Sequence, residues 1–119
     1  MSKSYDLGKK GEDLAAEYLL SKGYKILARN FRAGKAELDI VAFDGKTLVI
    51  VEVKTRNTNY FGEPEQWVTP SKQKLLIRAA NAYVKLRAIK GEIRFDVISV
   101  IADEHGTEIR HIPDAFYPV

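Results

Sequence analysis

Four places in this 119-residue chain carry charge where the surrounding pattern calls for hydrocarbon. Glu12 falls inside the apolar stripe that Gly8, Ala15, Ala16 and Leu19 draw along a helical stretch, at ~100° per residue. Asp39 sits in the alternating run from Glu37 to Phe43. Glu52 and Lys54 close the run that begins at Leu48, otherwise as apolar as a strand covered on both faces. Along it Leu48, Ile50, Glu52 and Lys54 share one side, and Val49, Val51 and Val53 the other. Lys72 is the fourth, on the helical face of Leu76, Ala79, Tyr83 and Leu86. Carboxylates gathered at one largely buried spot repel each other, and a divalent cation relieves that repulsion. Few hard oxygen ligands, with positions left open for water and phosphate, suit Mg²⁺ or Mn²⁺. The chemistry open to such a set is metal-assisted hydrolysis, with a lysine at hand to offset negative charge.

Each feature also has a plainer explanation. Glu12 can sit at the open end of its stripe, where the helix dipole favours acids. A buried Glu52–Lys54 or Asp39–Lys54 ion pair would fix strand register. Lys72 can snorkel past an apolar surface instead of aiming at the carboxylates or at phosphate. Register bears on the choice. A two-residue turn at Asp44-Gly45 sets Asp39 opposite Ile50 and Glu37 opposite Glu52. A shift of two sets Asp39 opposite Glu52. Either even-length loop keeps Glu37, Asp39, Glu52 and Lys54 on one side, whereas an odd loop without a bulge flips Asp39 away.

The elements that must hold these groups are legible in outline. Gly8 to Lys22 reads as an amphipathic helix stopped by Gly23. Strands are expected at Tyr24–Asn30, Glu37–Phe43 and Thr47–Lys54, with a turn at Arg32–Lys35 and a hairpin signal at Asp44-Gly45-Lys46. A polar loop from Thr55 to Pro70 carries Tyr60, Phe61 and Trp67, residues suited to base stacking, a folding lid or a dimer contact. Ser71 to Leu86 has helical periodicity, with Ser71 in the capping region. Glu92–Ile101 is a fourth strand and Glu108–Ile112 a fifth, at an edge. The order α-β-β-β-α-β predicts an α/β fold with a mixed sheet flanked by helices, in one domain covering 1–119.

Composition narrows the classes. Hydrophobic residues are 45% and charged residues 29%, a globular balance. The lack of cysteine excludes disulfides and thiolate chemistry. Two histidines, His105 and His111, leave little for a histidine-rich metal site, and neither is expected to be catalytic. No apolar run approaches the ~18 residues of a membrane span, and the N-terminus lacks the apolar core of a signal peptide, so the expected address is the cytoplasm. Net charge is +3. Gln66 to Gly91 contains no acid, and its Lys74, Arg78 and Lys85 cluster on one helical side with Asn81. That side is either a track for a nucleic-acid backbone or a solvated face.

The ordered set Glu12, Asp39 and Glu52-Val53-Lys54 resembles the PD-(D/E)XK nuclease signature, and the element order is similar to the restriction-endonuclease-like core. A closer resemblance is to the small YraN family, itself similar to archaeal Holliday-junction resolvases. It rests on Gly8–Ala16, Ala36-Glu37-Leu38-Asp39-Ile40-Val41-Ala42, Val51-Glu52-Val53-Lys54-Thr55-Arg56, Phe61-Gly62, Lys72 and Arg94-Phe95-Asp96-Val97. Ala36 stands where relatives commonly have glycine, no proline precedes Asp39, and Gln73 lacks the aromatic partner of the RecB-like branch. The resemblance implies a Mg²⁺- or Mn²⁺-dependent endonuclease acting on DNA, with branched or structured DNA as a candidate substrate. Asp39, Glu52 and the Val53 carbonyl would hold the metal, and Glu12 would orient it or bind a second ion. Lys54 would position or activate water. Arg56 and Lys72 would contact phosphates, with Lys74, Arg78 and Lys85 extending the track. Glu37 and Gln73 would give support. Resolution of a junction would call for a homodimer. The rival readings are a nucleic-acid-binding module of the same fold without cleavage, and an interaction subunit of a larger assembly.

Overall fold

The computed structural model describes residues 3–57 and 68–116. The elements run α1 (Lys3–Ser21), β1 (Lys25–Ala33), β2 (Ala36–Phe43), β3 (Leu48–Arg56), α2 (Pro70–Arg87), β4 (Ile93–Asp103) and β5 (Gly106–Phe116). They form a five-stranded mixed sheet in the order β1-β2-β3-β4-β5. Only β3 and β4 pair in parallel, and α2 is the crossover that a parallel pair needs. Among the described residues no helix is long and apolar enough to cross a membrane.

Each helix covers one face. Ala15, Ala16 and Leu19 of α1 bury against Ile40, Ala42, Val49, Val51, Ile98 and Val100. Leu76, Ala79, Ala80 and Tyr83 of α2 bury against Leu38, Val41, Leu48, Ile50, Phe95 and Val97. The strand β3 contributes alternate residues to both cores, which is why its sequence runs apolar without a break. Leu86, placed on the inner side of α2 by periodicity, is instead 67% exposed.

Boundaries moved for local reasons. The N-cap of α2 is Thr69, not Ser71: its hydroxyl accepts from Lys72 N–H, and Pro70 takes the first-turn position that needs no donor. The β2–β3 connection is a four-residue loop, since Phe43 pairs with Leu48. Asp44 holds it open by accepting from the N–H groups of Lys46 and Thr47, at 2.9 and 2.6 Å. The two-residue turn is therefore excluded, and the register shifted by two is the one formed. The strand β1 continues past Asn30 to a tight turn at Gly34, where φ is +61°.

Asn30 itself has φ +56°. It lies between the β1–β2 pairs Arg29↔Ile40 and Phe31↔Leu38, directly across from Asp39. Alternation breaks there in β2: Ala36 and Leu38 join the α2 core, but Ile40 and Ala42 join the α1 core. Glu37 therefore does not share a side with Asp39, contrary to strict alternation.

Away from this break, Asp96 of β4 is fully buried and fully satisfied. It accepts from Arg94 Nε and Nη2 at 2.9 and 3.0 Å and from Asp114 N–H at 3.0 Å, with His111 Nε2 at 2.7 Å. Burial raises its pKa, yet these bonds outweigh it and hold the carboxyl below the ordinary range. Arg94 also reaches Tyr24 and Asp44, so one guanidinium ties β4 to the start of β1 and to the hairpin loop. Replacing Arg94 with alanine should cost about 3 to 5 kcal/mol in urea unfolding, because it strands a buried charge. At the other end, Gly11 of α1 touches the tail of β3, and an added Cβ would overlap the hydroxyl and methyl of Thr55. Gly11→Ala should thus lower the melting temperature, whereas an unhindered helical Gly→Ala gains roughly 1 kcal/mol.

Candidate functional site

The β2–β3 ladder ends at Ile40↔Val51, and the next facing positions are Asp39 and Glu52. There the strands stop exchanging backbone bonds, and Val53 N–H donates to Asp39 Oδ2 at 2.9 Å. The side chain of Asp39 has taken the role of a ladder acceptor, which fixes its carboxyl at the open ends of the strands. Glu52 is 5% exposed, and its carboxyl lies close enough to that of Asp39 to raise its pKa. Burial first, then the bond and charge of Glu52, and more weakly the charge of Glu12 push Asp39 up to about 8, against the opposing pull of Val53 N–H. The pair therefore holds a proton near neutrality.

One oxygen of this pair is an orphan. Glu52 Oε2 is buried without a hydrogen-bond donor. Lys72 Nζ comes to 3.5 Å from it, a distance that supplies charge but not an aligned bond. Lys72 thus aims inward at the carboxylates instead of snorkelling. Among the described residues Lys54 pairs with neither Asp39 nor Glu52, so the alternative of a register-fixing ion pair is not formed.

A cleft of about 520 Å³ opens over this point, lined by Leu7, Gly8, Glu12, Asp39, Val53, Lys54, Thr55, Arg56 and Asn57. The helix α1 supplies its first wall and the tail of β3 the second. Glu12 is therefore neither lost in the core nor loose at the helix end. Its Oε1 accepts from Arg29 Nη2 and Nε at 3.0 and 3.2 Å, and its Oε2 from Asn30 Nδ2 at 3.1 Å. Arg29 also holds Asp13. Asn30 Nδ2 donates to Glu37 Oε1 at 2.9 Å, and Arg32 pairs with the other oxygen of Glu37. Glu37 is thus joined to Asn30 and Arg32 and not to Lys54. Arg29 and Asn30 were missed by sequence reasoning; asparagine tolerates a left-handed position better than most residues, but nothing in Leu27-Ala28-Arg29-Asn30-Phe31 marks one.

The sequence pattern of Uncharacterised protein family UPF0102 matches residues 11–100. The chain belongs to that family. UPF0102 proteins of Christiangramia forsetii and Bacteroides thetaiotaomicron are each 49% identical to it, over 117 and 118 residues. These matches cover 98% and 99% of this chain and 98% of each relative. The UPF0102 protein of Chlorobium limicola is 47% identical over 120 residues, covering 95% of this chain and 93% of its own. Membership agrees with the YraN-like motifs at the family level.

The remaining candidates of this UPF0102 member fall into two groups. Arg56 lines the cleft. Lys74, Arg78 and Lys85 are exposed on the outer side of α2 and do not line it. Gln73 is spent locally, donating from Nε2 to Val68 O at 3.0 Å to clamp the start of α2. His111 serves the Asp96 cluster and His105 lies in the β4–β5 turn. Tyr60, Phe61 and Trp67 lie outside the described residues.

Chemically the pair suits a hard cation. Among the described residues no three acidic or histidine side chains form a ready cage, so the donors number two carboxyls, one with an orphaned oxygen. Mg²⁺ is held by one or two carboxylates and keeps several waters, so such a set fits it. Without metal, the raised pKa of Asp39 makes the folded state bind a proton that the unfolded state lacks above about pH 4. Stability should therefore fall as pH rises from ~4 to ~8, by up to ~1.4 kcal/mol per pH unit. Urea unfolding in EDTA checks this, and Asp39→Asn should flatten the slope.

Proposed function

We propose that this UPF0102 protein is a metal-dependent nuclease that hydrolyses phosphodiester bonds of DNA. The observation that carries the reading is the buried Asp39–Glu52 pair, with its unsatisfied Glu52 oxygen, beside an open cleft that Asp39 lines together with Glu12, Lys54 and Arg56. A pair that served stability alone would be satisfied, as Asp96 is. Asp39 and Glu52, with the Val53 carbonyl, would hold Mg²⁺ or Mn²⁺, and Glu12 would join them through water or a second ion. When bound, the metal polarises a phosphate oxygen and lowers the pKa of its water.

The chain's own residues do the rest. Lys54, free of carboxylate partners among the described residues, reaches the cleft from β3, where it can orient the attacking water and offset charge on the phosphate. Arg56, on the same wall, contacts a flanking phosphate. Lys72 balances Glu52 from the α2 side and limits the negative charge of the pair. Lys74, Arg78 and Lys85 would track the backbone outside the cleft, through contacts that weaken with salt. The order of the elements and the PD-(D/E)XK-like spacing support the same reading.

The test is cleavage of supercoiled, single-stranded, flap and four-way-junction DNA with Mg²⁺ or Mn²⁺. Asp39→Ala, Glu52→Ala and Lys54→Ala should each lower the rate by at least ~100-fold, the scale set by losing one transition-state contact, while leaving the protein folded. Salt-sensitive binding without cutting in any metal would instead assign a binding module. A homodimer, needed for paired cuts at a junction, would show in the sedimentation of the complex.

A further inference from the structure

We propose that Asn30 is a positioning residue that ties Glu12 to Glu37 and holds Glu12 at the cleft beside Asp39, so that Glu12 can serve the cation site. The inference rests on the metal-dependent reading above and concerns a residue outside the PD-(D/E)XK pattern. Three observations meet at this side chain. Asn30 occupies a left-handed backbone position in the middle of a strand, with φ +56°. Such a position costs of order 1–3 kcal/mol for most residues, and asparagine is among the few that tolerate it. Its single amide nitrogen reaches carboxylates from two elements, Glu12 of α1 at 3.1 Å and Glu37 of β2 at 2.9 Å. Across the ladder from it stands Asp39, where the side-chain alternation of β2 breaks.

The choice of residue follows from these demands. Glycine meets the backbone requirement but brings no donor. Aspartate meets it and adds a third negative charge. Lysine and glutamine bring donors but fit the left-handed region poorly. Asparagine supplies both N–H groups without a charge that would compete with a cation for Glu12. Arg29 fills Oε1 of Glu12 with two bonds, whereas Oε2, which accepts only from Asn30 among the described residues, still has a lone pair left for a water or an ion. Hydrogen bonds to ligating carboxylates are a regular part of metal sites, where they orient the ligands.

The experiment is a calorimetric titration of Mn²⁺ into metal-stripped, nucleic-acid-free protein, with melting curves as a check on folding. The variants are Asn30→Gly, Glu12→Gln, the double variant and Asp39→Asn. Asn30→Gly keeps the backbone conformation and should raise the half-saturating Mn²⁺ concentration about 10- to 100-fold. In the Glu12→Gln background the same change should have no further effect, because Asn30 acts through Glu12. Equal weakening in both backgrounds would show a general structural role and overturn the proposal. Wild-type affinity in Asn30→Gly, with binding lost in Asp39→Asn, would overturn it while leaving the nuclease reading intact. Absence of Mn²⁺ binding by the wild type would remove the nuclease reading as well. Should the glycine variant melt below the assay temperature, Asn30→His fits the same backbone region, offers at most one donor when neutral, and is read by the same criteria.

Discussion

Two carboxyl groups forced together at the end of a buried ladder are the constraint around which this molecule is arranged. Asp39 and Glu52 arrive there because β2 and β3 are held in register by the apolar pairs behind them, from Ile40↔Val51 to Phe43↔Leu48. Their repulsion and burial are unfavourable, and the fold answers with one backbone N–H, one distant ammonium and a retained proton. Each answer is partial. A site left in that state has a standing affinity for whatever supplies compact positive charge.

The contrast with Asp96 shows that the incompleteness is local. That carboxylate is at least as buried, but it has a bidentate arginine, a histidine and a backbone donor. Satisfied in this way, it joins β4 and β5 to the start of β1 and to the hairpin loop and offers nothing to a ligand. The same element set thus holds one acid that locks the frame and one incompletely satisfied pair whose Asp39 lines a cleft. Close contact between Gly11 and Thr55 matters to the second, since it brings α1, and with it Glu12, to the wall of the cleft.

Much of this was legible beforehand because it depended on short-range pattern. Apolar periodicity located both helices and all five strands, and charges that violated it marked Glu12, Asp39, Glu52, Lys54 and Lys72. That Asp39 and Glu52 share a side also followed from period-two geometry in β3 and an even-length loop before it. What pattern could not provide was the partner of each charge. Lys54 looked like the mate of Glu52 because it is two residues away, but the cation that approaches Glu52 comes from α2, twenty positions along. Glu37 looked like a neighbour of Asp39 until the break at Asn30 turned it elsewhere.

By itself, then, the sequence determined the elements, the cores they bury and the list of groups able to do chemistry, since hydrophobic burial and strand alternation act on residues near one another in the chain. Tertiary structure alone decided the four-residue hairpin register, the left-handed turn of Asn30 and the clamp that Arg29 and Asn30 place on Glu12. It also decided which oxygen stays without a donor. Those outcomes depend on angles and distances between segments far apart in sequence, where a shift of one hydrogen bond changes which charge is satisfied and which is left open.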